Sequence, residues 1–227
     1  MEVAACVVNL SSIADIGSDH AYLSKYLLDN GHVDRVLNVE VRQGPYDASC
    51  KTLAAYLQNG VAKVILSYGI DDVSPAEADA VIIAGMGGST IIDILNKDLS
   101  HTRSFKKLVL QPQHAIAEVR KYLIGHSFHI TQERIAREGD KFYEIICAVP
   151  AKSKQHREEM YYHIPSLCLG NPCENLLPFL KHKQMQQEKI IAACQKKHSR
   201  SAVEKNKEAR QRLAELNKII ASLKNIG

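Results

Sequence analysis

The sequence has 227 residues, 45% of them hydrophobic and 24% charged, a composition that excludes a largely disordered chain and suits one domain with an appendage or one large domain. It contains no run of about 18 apolar residues, and its apolar N-terminus lacks a basic start, so we expect neither a transmembrane helix nor a signal peptide. Residues 1–150 carry 14 Lys and Arg against 18 Asp and Glu, whereas residues 151–227 carry 15 against 7; the basic second part indicates either a polyanionic partner or a solvated helix.

The first 150 residues alternate strand and helix patterns. Short apolar runs predict strands at Ser12–Ile16, Arg35–Val41, Lys63–Ser67, Ala80–Ala84, Lys107–Leu110, Phe128–Glu133 and Phe142–Val149. Helical spacing predicts helices at Ala21–Leu28, Tyr46–Leu57, Thr90–Leu95 and Ala115–Ile124.

This alternation indicates an α/β fold with a mostly parallel sheet and helices on both faces. No helix separates the last two strands, so the loop Ala136–Lys141 predicts a β-hairpin, and therefore one antiparallel strand, at an edge of the sheet. Sheets of this kind bind ligands at the carboxyl ends of their strands, near the point where the strand order reverses.

The tail predicts a polar connection over residues 151–172, followed by helices at Glu174–His198 and Ala202–Ile226. The second helix carries a heptad seam at Ala202, Asn206, Ala209, Leu213, Leu216, Ile220 and Leu223, and the first a weaker one at Leu176, Leu180, Lys183, Gln187, Ile190 and Cys194. The short link between them predicts an antiparallel coiled-coil hairpin over residues 173–227. Such a seam serves an intrachain hairpin or a dimer equally well; we expect a monomer.

The six cysteines are scattered through a sequence without a secretory signal, which predicts free thiols in the cytoplasm. Cys168 and Cys173 have no matching second pair, and the histidines show no metal-ligand spacing, so we expect no metal.

The residues from Asp15 to Ala21 (DIGSDHA) join the first predicted strand to the first helix. Gly17 allows a sharp turn and close approach of the backbone to a ligand, and the helix start favours a negatively charged group. No G-x-G-x-x-G pattern is present, and Asp19 would meet a pyrophosphate at close range, which disfavours NAD or FAD. A zwitterionic ligand with a cationic centre suits this loop better; an ordinary strand–helix turn is the alternative.

Glu40 ends the second predicted strand, 23 residues after Gly17. An acidic residue at about this distance from a glycine turn commonly binds a ribose diol, because its carboxylate accepts hydrogen bonds from both hydroxyls. The two residues together indicate a nucleoside ligand without specifying the reaction.

Three further segments belong to the same edge of the predicted sheet. Gly85–Gly88 (GMGG) contains three glycines, which favours close approach of a ligand over a simple tight turn. The amides of Gln111 and Gln113 could read the polar edge of a base, and Lys141–Glu144 enters the last strand. For these two segments a surface loop and an ordinary β-hairpin edge are the alternatives.

Several segments occur together in an order and at a spacing that resemble a known family. They are ADIGSDHAYL at Ala14–Leu23, Glu40 with Gly44-Pro45, IAGMGG at Ile83–Gly88, LQP at Leu110–Pro112 and GDKFYEI at Gly139–Ile145. The chain resembles the bacterial tRNA (adenine-22-N1)-methyltransferases, the TrmK family, closely over residues 3–150 and more loosely in the tail. The combination of GSDHAYL with AGMGG is the most specific part of the resemblance.

The resemblance implies a Rossmann-like class I methyltransferase fold over residues 1–150, with S-adenosyl-L-methionine as cofactor and tRNA as substrate. It implies that Asp19 is catalytic, that Glu40 binds the ribose of the cofactor and that Val41 lies against its adenine. The implied cofactor-binding residues are Asp15, Gly17, Ser18, Glu40, Val41, Tyr68, Gly69, Gly85 and Met86. The implied substrate-binding residues are His20, Tyr22, Gly87, Gly88, Gln111, Pro112, Gln113 and Tyr143.

More than one segment departs from the pattern of the family. The family's Gln-Pro-Asn is Gln111-Pro112-Gln113 in this chain. Where the family often has Gly-Asp-Gly-Leu or Gly-Asn-Gly-Leu after the third strand, this chain has Ser67-Tyr68-Gly69-Ile70. The polar contact to the cofactor's adenine is therefore missing, and Tyr68 would stack on the adenine instead.

The implied reaction is methyl transfer to N1 of adenine, at adenine 22 by resemblance. N1 has a lone pair in the ring plane, so the main demand is to hold the reacting atoms about 3–3.5 Å apart. Asp19 would stabilise the charge that develops on the base. N1 lies on the pairing edge, so the base must be freed or flipped out, while the basic tail holds phosphates.

Two alternatives remain from the sequence. One is a methyltransferase of the same fold that acts on another RNA position or on a small molecule, although the basic tail argues against a small molecule. The other is a non-catalytic RNA- or nucleotide-binding module.

Overall fold

The structure is a computed structural model that describes residues 2–153, 155–195 and 199–224. Its strands are β1 (Ser12–Ile16), β2 (Arg35–Glu40), β3 (Ala62–Leu66), β4 (Ala80–Met86), β5 (Lys107–Pro112), β6 (Phe128–Glu138) and β7 (Lys141–Pro150). Its helices are α1 (Tyr22–Asp29), α2 (Gln43–Thr52), α3 (Ala54–Gln58), α4 (Gly88–Lys97), α5 (Leu99–Thr102), α6 (Ile116–Gly125), α7 (Leu167–Gly170), α8 (Leu176–Gln195) and α9 (Arg200–Lys224). Short 3-10 helices lie at Ala4–Cys6 and Glu159–Tyr162.

The strands form one sheet in the order β3-β2-β1-β4-β5-β7-β6. The first five strands pair in parallel, and β7 runs antiparallel to both of its neighbours. The predicted α/β fold, with a mostly parallel sheet and an antiparallel pair at one edge, is confirmed. The strand order reverses between β1 and β4, so the carboxyl ends of these two strands flank the position where such folds bind ligands.

The predicted helix Tyr46–Leu57 was wrong in its start and in its continuity. The helix begins earlier, at Gln43, and breaks at Leu53, whose backbone leaves the helical conformation (φ −99°, ψ 12°). The side chain of Leu53 is fully buried in the core. Pro45 lies in the first turn, where its missing N–H has no partner to lose.

The predicted loop Ala136–Lys141 is also wrong, because most of it is strand. β6 and β7 stay paired as far as Glu138 and Lys141, and Gly139 and Asp140 alone make the turn. Gly139 has a φ of +57°, which a two-residue β-hairpin turn of this kind requires.

Apolar residues cover both faces of the sheet because successive side chains of a strand point to opposite faces. On β1, Ala14 and Ile16 belong to the core beneath α4 and α6. Ile13 belongs to the core beneath α1, which includes Leu27 and also Cys6 of the first 3-10 helix. All of these side chains are almost completely buried.

α8 and α9 pack against each other, and we call them the helical hairpin. The predicted seams lie inward: on α9, Ala202, Ala209, Leu216 and Ile220 are buried, and on α8, Leu176, Leu180 and Cys194. The hairpin also packs on β6 through Ile135. The predicted helix ends at His198 and Ile226 lie outside the described residues, and coiled-coil packing in the strict sense stays a prediction.

Five charged side chains join the sheet to the helical hairpin, and we call them the junction cluster: Arg120, Glu133, Glu144, Arg157 and Lys183. The buried Arg120 of α6 donates from Nε to Glu133 Oε1 (2.7 Å) and from Nη2 to Glu144 Oε2 (2.8 Å). Arg157 Nη1 lies 3.2 Å from Glu133 Oε2, and Lys183 Nζ of α8 lies 2.9 Å from Glu144 Oε1. Burial alone would raise the pKa of Glu144, but Arg120 and Lys183 lower it below its ordinary value.

Candidate active site

The loops that follow β1 to β5 meet at the carboxyl edge of the sheet, on both sides of the point where the strand order reverses. The last residues of these strands and the loops that follow them contain nearly all of the predicted site residues. Tyr143 reaches the same edge from β7, because it lies three residues before Ile146, the partner of Leu110 on β5. The roles of these residues remain predictions, but the fold places them together.

Gly17 makes the turn out of β1. Its φ is +67°, a conformation that favours glycine, and its N–H donates to the carbonyl of Val39 (2.8 Å). A Cβ added at Gly17 would lie 2.2 Å from Cε of Met86. The missing side chain therefore lets the loops after β1 and β4 approach each other.

Two residues with side chains share the left-handed conformation in the same loop, namely Asp19 (φ 63°) and Ala21 (φ 54°). This conformation costs about 1–2 kcal/mol for an L-residue, and such strain is concentrated at functional sites. The Asp19 side chain is 74% exposed, and its Oδ2 lies 3.5 Å from Nε2 of His20. The ring of His20 stacks on Tyr22, with centroids 5.3 Å apart. The loop thus presents a carboxylate beside two stacked rings.

Polar side chains of β1, β2 and the adjoining loop and helices lie behind this exposed surface, and we call them the rim cluster: Asp15, Ser18, Ser24, Asn38, Glu40 and Ser49. Glu40 is only 3% exposed. Its Oε1 accepts from Ser18 Oγ (3.0 Å) and Ser49 Oγ (3.2 Å), and Ser18 Oγ accepts in turn from Nδ2 of Asn38 (2.8 Å). None of the described residues donates to Oε2 of Glu40, so this oxygen is left for a ligand.

Asp15 is the second carboxylate of the rim cluster. It is buried, and its Oδ2 accepts from Ser24 Oγ (3.1 Å). Burial raises the pKa of Asp15 to about 7; the hydrogen bond from Ser24 opposes this rise, and the nearby charge of Glu40 adds to it. No Lys or Arg among the described residues pairs with either carboxylate. A ligand with a cationic centre would supply the opposite charge, in agreement with the zwitterion that the Asp15–Ala21 loop predicts.

Two exposed apolar side chains lie beside Glu40. Val41 follows it directly and is 58% exposed, and Tyr68, on the neighbouring strand end, is 52% exposed. These strand ends are joined by a hydrogen bond from the Ser67 N–H to the carbonyl of Glu40 (2.9 Å). Lys97 Nζ lies 5.0 Å from the centroid of the Tyr68 ring and covers part of it. Val41 and Tyr68 therefore offer apolar surface on which a flat ring could lie.

The loop after β4 is hydrogen-bonded to the segment that ends β5. The N–H of Gly85 donates to Oε1 of Gln111 (2.9 Å), and the N–H of Gln113 donates to the carbonyl of Met86 (2.8 Å). Nε2 of Gln111 is buried and has no partner among the described residues. Since an unpaired buried donor is costly, this amide fits a site that a ligand completes.

Gly87 and Gly88 allow these two loops to pack closely. An added Cβ would lie 2.5 Å from the ring of His114 at Gly87 and 2.5 Å from the His114 carbonyl at Gly88. Gly88 is buried, and its N–H donates to that carbonyl (3.0 Å). Gly69 and Gly85, by contrast, adopt positive φ values of 62° and 78°. Packing explains the first two glycines and turn geometry the other two.

Pro112 and Tyr143 complete the edge. Pro112 is buried at the end of β5, opposite Met86 of β4. Tyr143 is half-buried, and its Oη donates to Glu138 Oε2 (3.3 Å) across the β-hairpin. Tyr143 is therefore anchored beside the opening of the edge.

The sequence patterns missed three members of the rim cluster. Asn38 is the single polar side chain inside the otherwise apolar run of β2, which was a signal that could have been used. Ser24 and Ser49 lie on helices and look like ordinary helix residues in the sequence. Their contacts with Asp15 and Glu40 join residues nine positions apart, which only the packing of α1 and α2 on the sheet reveals.

All six cysteines are free thiols. In the ranges 2–153, 155–195 and 199–224, His, Cys, Asp and Glu side chains form no group of three that could hold a metal ion. The same ranges contain no helix both long and apolar enough to cross a membrane.

Comparison with known proteins identifies similar chains. A family model described as "tRNA (adenine(22)-N(1))-methyltransferase" matches residues 13–225. The chain is 32% identical over 146 residues to the tRNA (adenine(22)-N(1))-methyltransferase of Bacillus subtilis (strain 168). That alignment covers 64% of this chain and 61% of the relative, which is less than two thirds of the relative's length.

Two solved structures are similar over almost the whole chain. The B. subtilis m1A22 tRNA methyltransferase TrmK is 25% identical, with a TM-score of 0.82 and 96% of each chain covered. M. capricolum TrmK, solved in complex with the cofactor product S-adenosyl-homocysteine, is 26% identical, with a TM-score of 0.78 and coverage of 97% of this chain and 95% of that one.

Proposed function

The chain belongs to the tRNA (adenine(22)-N(1))-methyltransferase family, and we propose that it transfers a methyl group from S-adenosyl-L-methionine to N1 of an adenine in tRNA, adenine 22 by the name of the family. The observation that carries the proposal is the rim cluster, which holds Glu40 in place behind the exposed carboxylate of Asp19. The relative from M. capricolum, with a similar fold, binds S-adenosyl-homocysteine.

The residues of the edge fit the cofactor. Glu40 would accept hydrogen bonds from the ribose hydroxyls, and Val41 and Tyr68 would lie against the adenine. Gly17 would let the backbone approach the methionine part, and the carboxylate form of Asp15 would favour its cationic centres. When bound, S-adenosyl-L-methionine supplies an electrophilic methyl group. Ser18, Gly69, Gly85 and Met86 complete the predicted contacts.

Asp19 is the proposed catalytic residue. N1 of adenine is nucleophilic without losing a proton, so positioning matters more than activation. Methylation places positive charge on the base, and the exocyclic amine then becomes a stronger donor. A carboxylate that accepts a hydrogen bond or a proton from this amine stabilises the transition state. The strained loop projects Asp19 away from the sheet, where an incoming base can reach it.

The remaining edge residues receive the flipped base. His20 and Tyr22 present stacked rings beside Asp19, and base stacking on such rings is worth about 1–3 kcal/mol. Gln111 and Gln113 offer amide groups for the polar edge of adenine. Packing of Gly87, Gly88 and Pro112, with Tyr143 at the side, shapes the opening. The pairing edge of the base must leave its helix before N1 can react.

The helical hairpin is the proposed tRNA-binding part, because residues 151–227 carry a net charge of +8 and phosphate contacts depend on such charge. We divide the chain into a methyltransferase domain (1–150), a connection (151–172) and the hairpin (173–227). We place the reaction in the cytoplasm, where free thiols persist, and assign it to a monomer that uses no metal.

A methyl-transfer assay tests the function. Purified protein is incubated with labelled S-adenosyl-L-methionine and an unmodified tRNA transcript, and the digested nucleosides are separated. Labelled 1-methyladenosine is expected, and a transcript with guanine in place of adenine 22 is expected to give none. Label in both transcripts would move the reaction to another adenine. Cofactor binding without a labelled nucleoside would indicate another substrate, and no cofactor binding would leave a non-catalytic module.

Replacing Asp19 separates catalysis from binding. Asp19→Ala is expected to lower turnover by roughly 10²–10⁴-fold, the usual contribution of general acid–base groups, with cofactor affinity unchanged. Asp34→Ala, at an exposed carboxylate before β2, is the matched control and should keep full turnover. Equal turnover of both variants would remove Asp19 from the mechanism.

A further inference from the structure

A groove of about 500 Å³ lies between the start of α6 and the helical hairpin. Gln113 and His114 line its side toward the sheet, and His182, Lys183 and Arg212 line its side toward the hairpin. The groove therefore lies between residues next to the sheet and residues of the helical hairpin.

The groove continues directly from the candidate active site. The Gln113 N–H donates to the carbonyl of Met86 (2.8 Å), the last residue of β4. The ring of His114 lies so close to Gly87 that a Cβ there would be 2.5 Å away. If the target base binds at the carboxyl edge of the sheet beside Gln113, the adjoining RNA backbone would lie at the groove.

Positive charge is in excess within the junction cluster, of which Glu144 and Lys183 line the groove. The junction cluster contains three cations, Arg120, Arg157 and Lys183, but only two carboxylates. Both arginines are at most 5% exposed, whereas the Lys183 side chain is 22% exposed. Since Glu144 is also paired with Arg120, the excess charge reaches solvent mainly through Lys183.

Arg212 adds a second cation on α9. Its Nη2 lies 3.4 Å from Oε2 of Glu208, a carboxylate that is itself 56% exposed. Surface pairs of this kind contribute little free energy, so Arg212 can exchange this partner for another anion. Burial lowers the pKa of the neighbouring His163, and Arg212 lowers it further against the effect of Glu159, so His163 is a neutral hydrogen-bonding group at pH 7. Glu118, the other carboxylate of the groove, is exposed to solvent.

We propose that this groove binds a phosphodiester of the same RNA whose base is methylated, with Lys183 and Arg212 as its cationic ligands. The inference rests on the methyltransferase function proposed above. A phosphodiester carries one negative charge on two free oxygens, which suits two convergent cations and neighbouring amide or imidazole donors. The groove would fix where the RNA backbone lies relative to Asp19.

Matched variants on the same helices test the proposal. Lys181 and Arg210 are exposed and lie two residues before Lys183 and Arg212, about 200° around each helix; neither lines the groove. Binding of an unmodified tRNA transcript is measured at several salt concentrations. Lys183→Met and Arg212→Met are each expected to weaken binding roughly threefold and to lower the slope of log K against log salt by about 0.7–0.9, as expected for one lost phosphate contact. Lys181→Met and Arg210→Met should change neither.

Further measurements separate this proposal from other failures. Lys183→Arg keeps the charge and should bind like the wild type, and urea unfolding checks that Lys183→Met is folded. If the wild type binds and methylates the transcript but the groove variants behave like the controls, the groove is not an RNA site, and a protein partner becomes the remaining occupant. If the wild type binds no tRNA, the proposed function fails together with the groove.

Discussion

The rim cluster and the junction cluster each bury two carboxylates, but the two clusters compensate the buried charge in different ways. In the junction cluster, Glu133 and Glu144 are paired with guanidinium and ammonium groups at 2.7–3.2 Å. In the rim cluster, Asp15 and Glu40 accept hydrogen bonds from serine hydroxyls, and no cation among the described residues pairs with them.

The pKa values report this difference. Burial raises the pKa of Asp15 to about 7, whereas Arg120 and Lys183 outweigh burial and lower the pKa of Glu144. Equal burial of the same chemical group therefore has opposite results, depending on whether the protein itself supplies a cation. Two buried carboxylates without a protein cation, as in the rim cluster, are typical of a ligand site. Two buried carboxylates that are paired with cations, as in the junction cluster, are typical of a structural contact.

The largest expected effect comes from removing Arg120 from the junction cluster. Arg120→Met removes the cation shared by Glu133 and Glu144 and leaves each buried carboxylate with a single cation, Arg157 or Lys183. Breaking a buried ion pair in this way costs about 3–5 kcal/mol of unfolding free energy. Urea unfolding at pH 7 measures the loss.

The next residue of the same helix supplies the control. Lys121 forms an exposed pair with Glu159 at 2.7 Å, so Lys121→Met should cost less than about 1 kcal/mol. Similar losses of unfolding free energy for Arg120→Met and Lys121→Met would mean that the buried ion pairs of the junction cluster do not stabilise the fold.

Much of the fold could be predicted from the sequence because it depends on local patterns. The strand Ser12–Ile16 was predicted with its observed bounds, and four of the seven residues of the predicted α9 seam are buried. The break at Leu53 was not predicted, because the surrounding sequence contains no Gly or Pro, the residues at which helices ordinarily break. The position of β7 between β5 and β6 depends on long-range pairing.

The site was predictable where a motif lies within one loop, as Gly17 and Asp19 do. Glu40 was predictable from its distance to Gly17. The junction cluster was not predicted, although Lys183 lies on the predicted seam of α8, because Arg120 and Glu144 look like ordinary surface charges in the sequence. Their burial follows from the docking of the helical hairpin on β6 and β7, which no local pattern encodes.

The second prediction concerns the pH dependence of the rim cluster. The pKa of an unfolded aspartate is about 3.9, and that of Asp15 in the folded state is about 7. The folded state therefore holds the proton more tightly. This contribution to stability is fully present below about pH 4 and is lost as the pH rises through 7. Between pH 5 and 8 the wild type should lose about 2.6 kcal/mol relative to Asp15→Asn, which carries no titrating group.

Urea unfolding of both proteins at pH 5, 6, 7 and 8 gives this difference directly. Asp34→Asn, at an exposed carboxylate, provides the matched control and should run parallel to the wild type. A constant difference between the wild type and Asp15→Asn at all four pH values would show that Asp15 has an ordinary pKa, and the contrast with Glu144 would then disappear.

The smallest effect separates the two clusters by function. Glu40→Gln keeps an acceptor for Ser18 and Ser49 and removes only the charge, so the unfolding free energy should change by less than about 1 kcal/mol. The affinity for S-adenosyl-homocysteine should fall about tenfold, as expected for the loss of a charge-assisted hydrogen bond. Calorimetry with the 2′-deoxyribose analogue completes a double-mutant cycle. If Glu40 binds the ribose diol, the substitution weakens binding of the analogue less than that of the parent compound. Equal losses of affinity for both ligands would mean that Glu40 has a structural role in the rim cluster and does not contact the ribose. Asp15 would then be the only carboxylate of the cluster that could interact with the ligand.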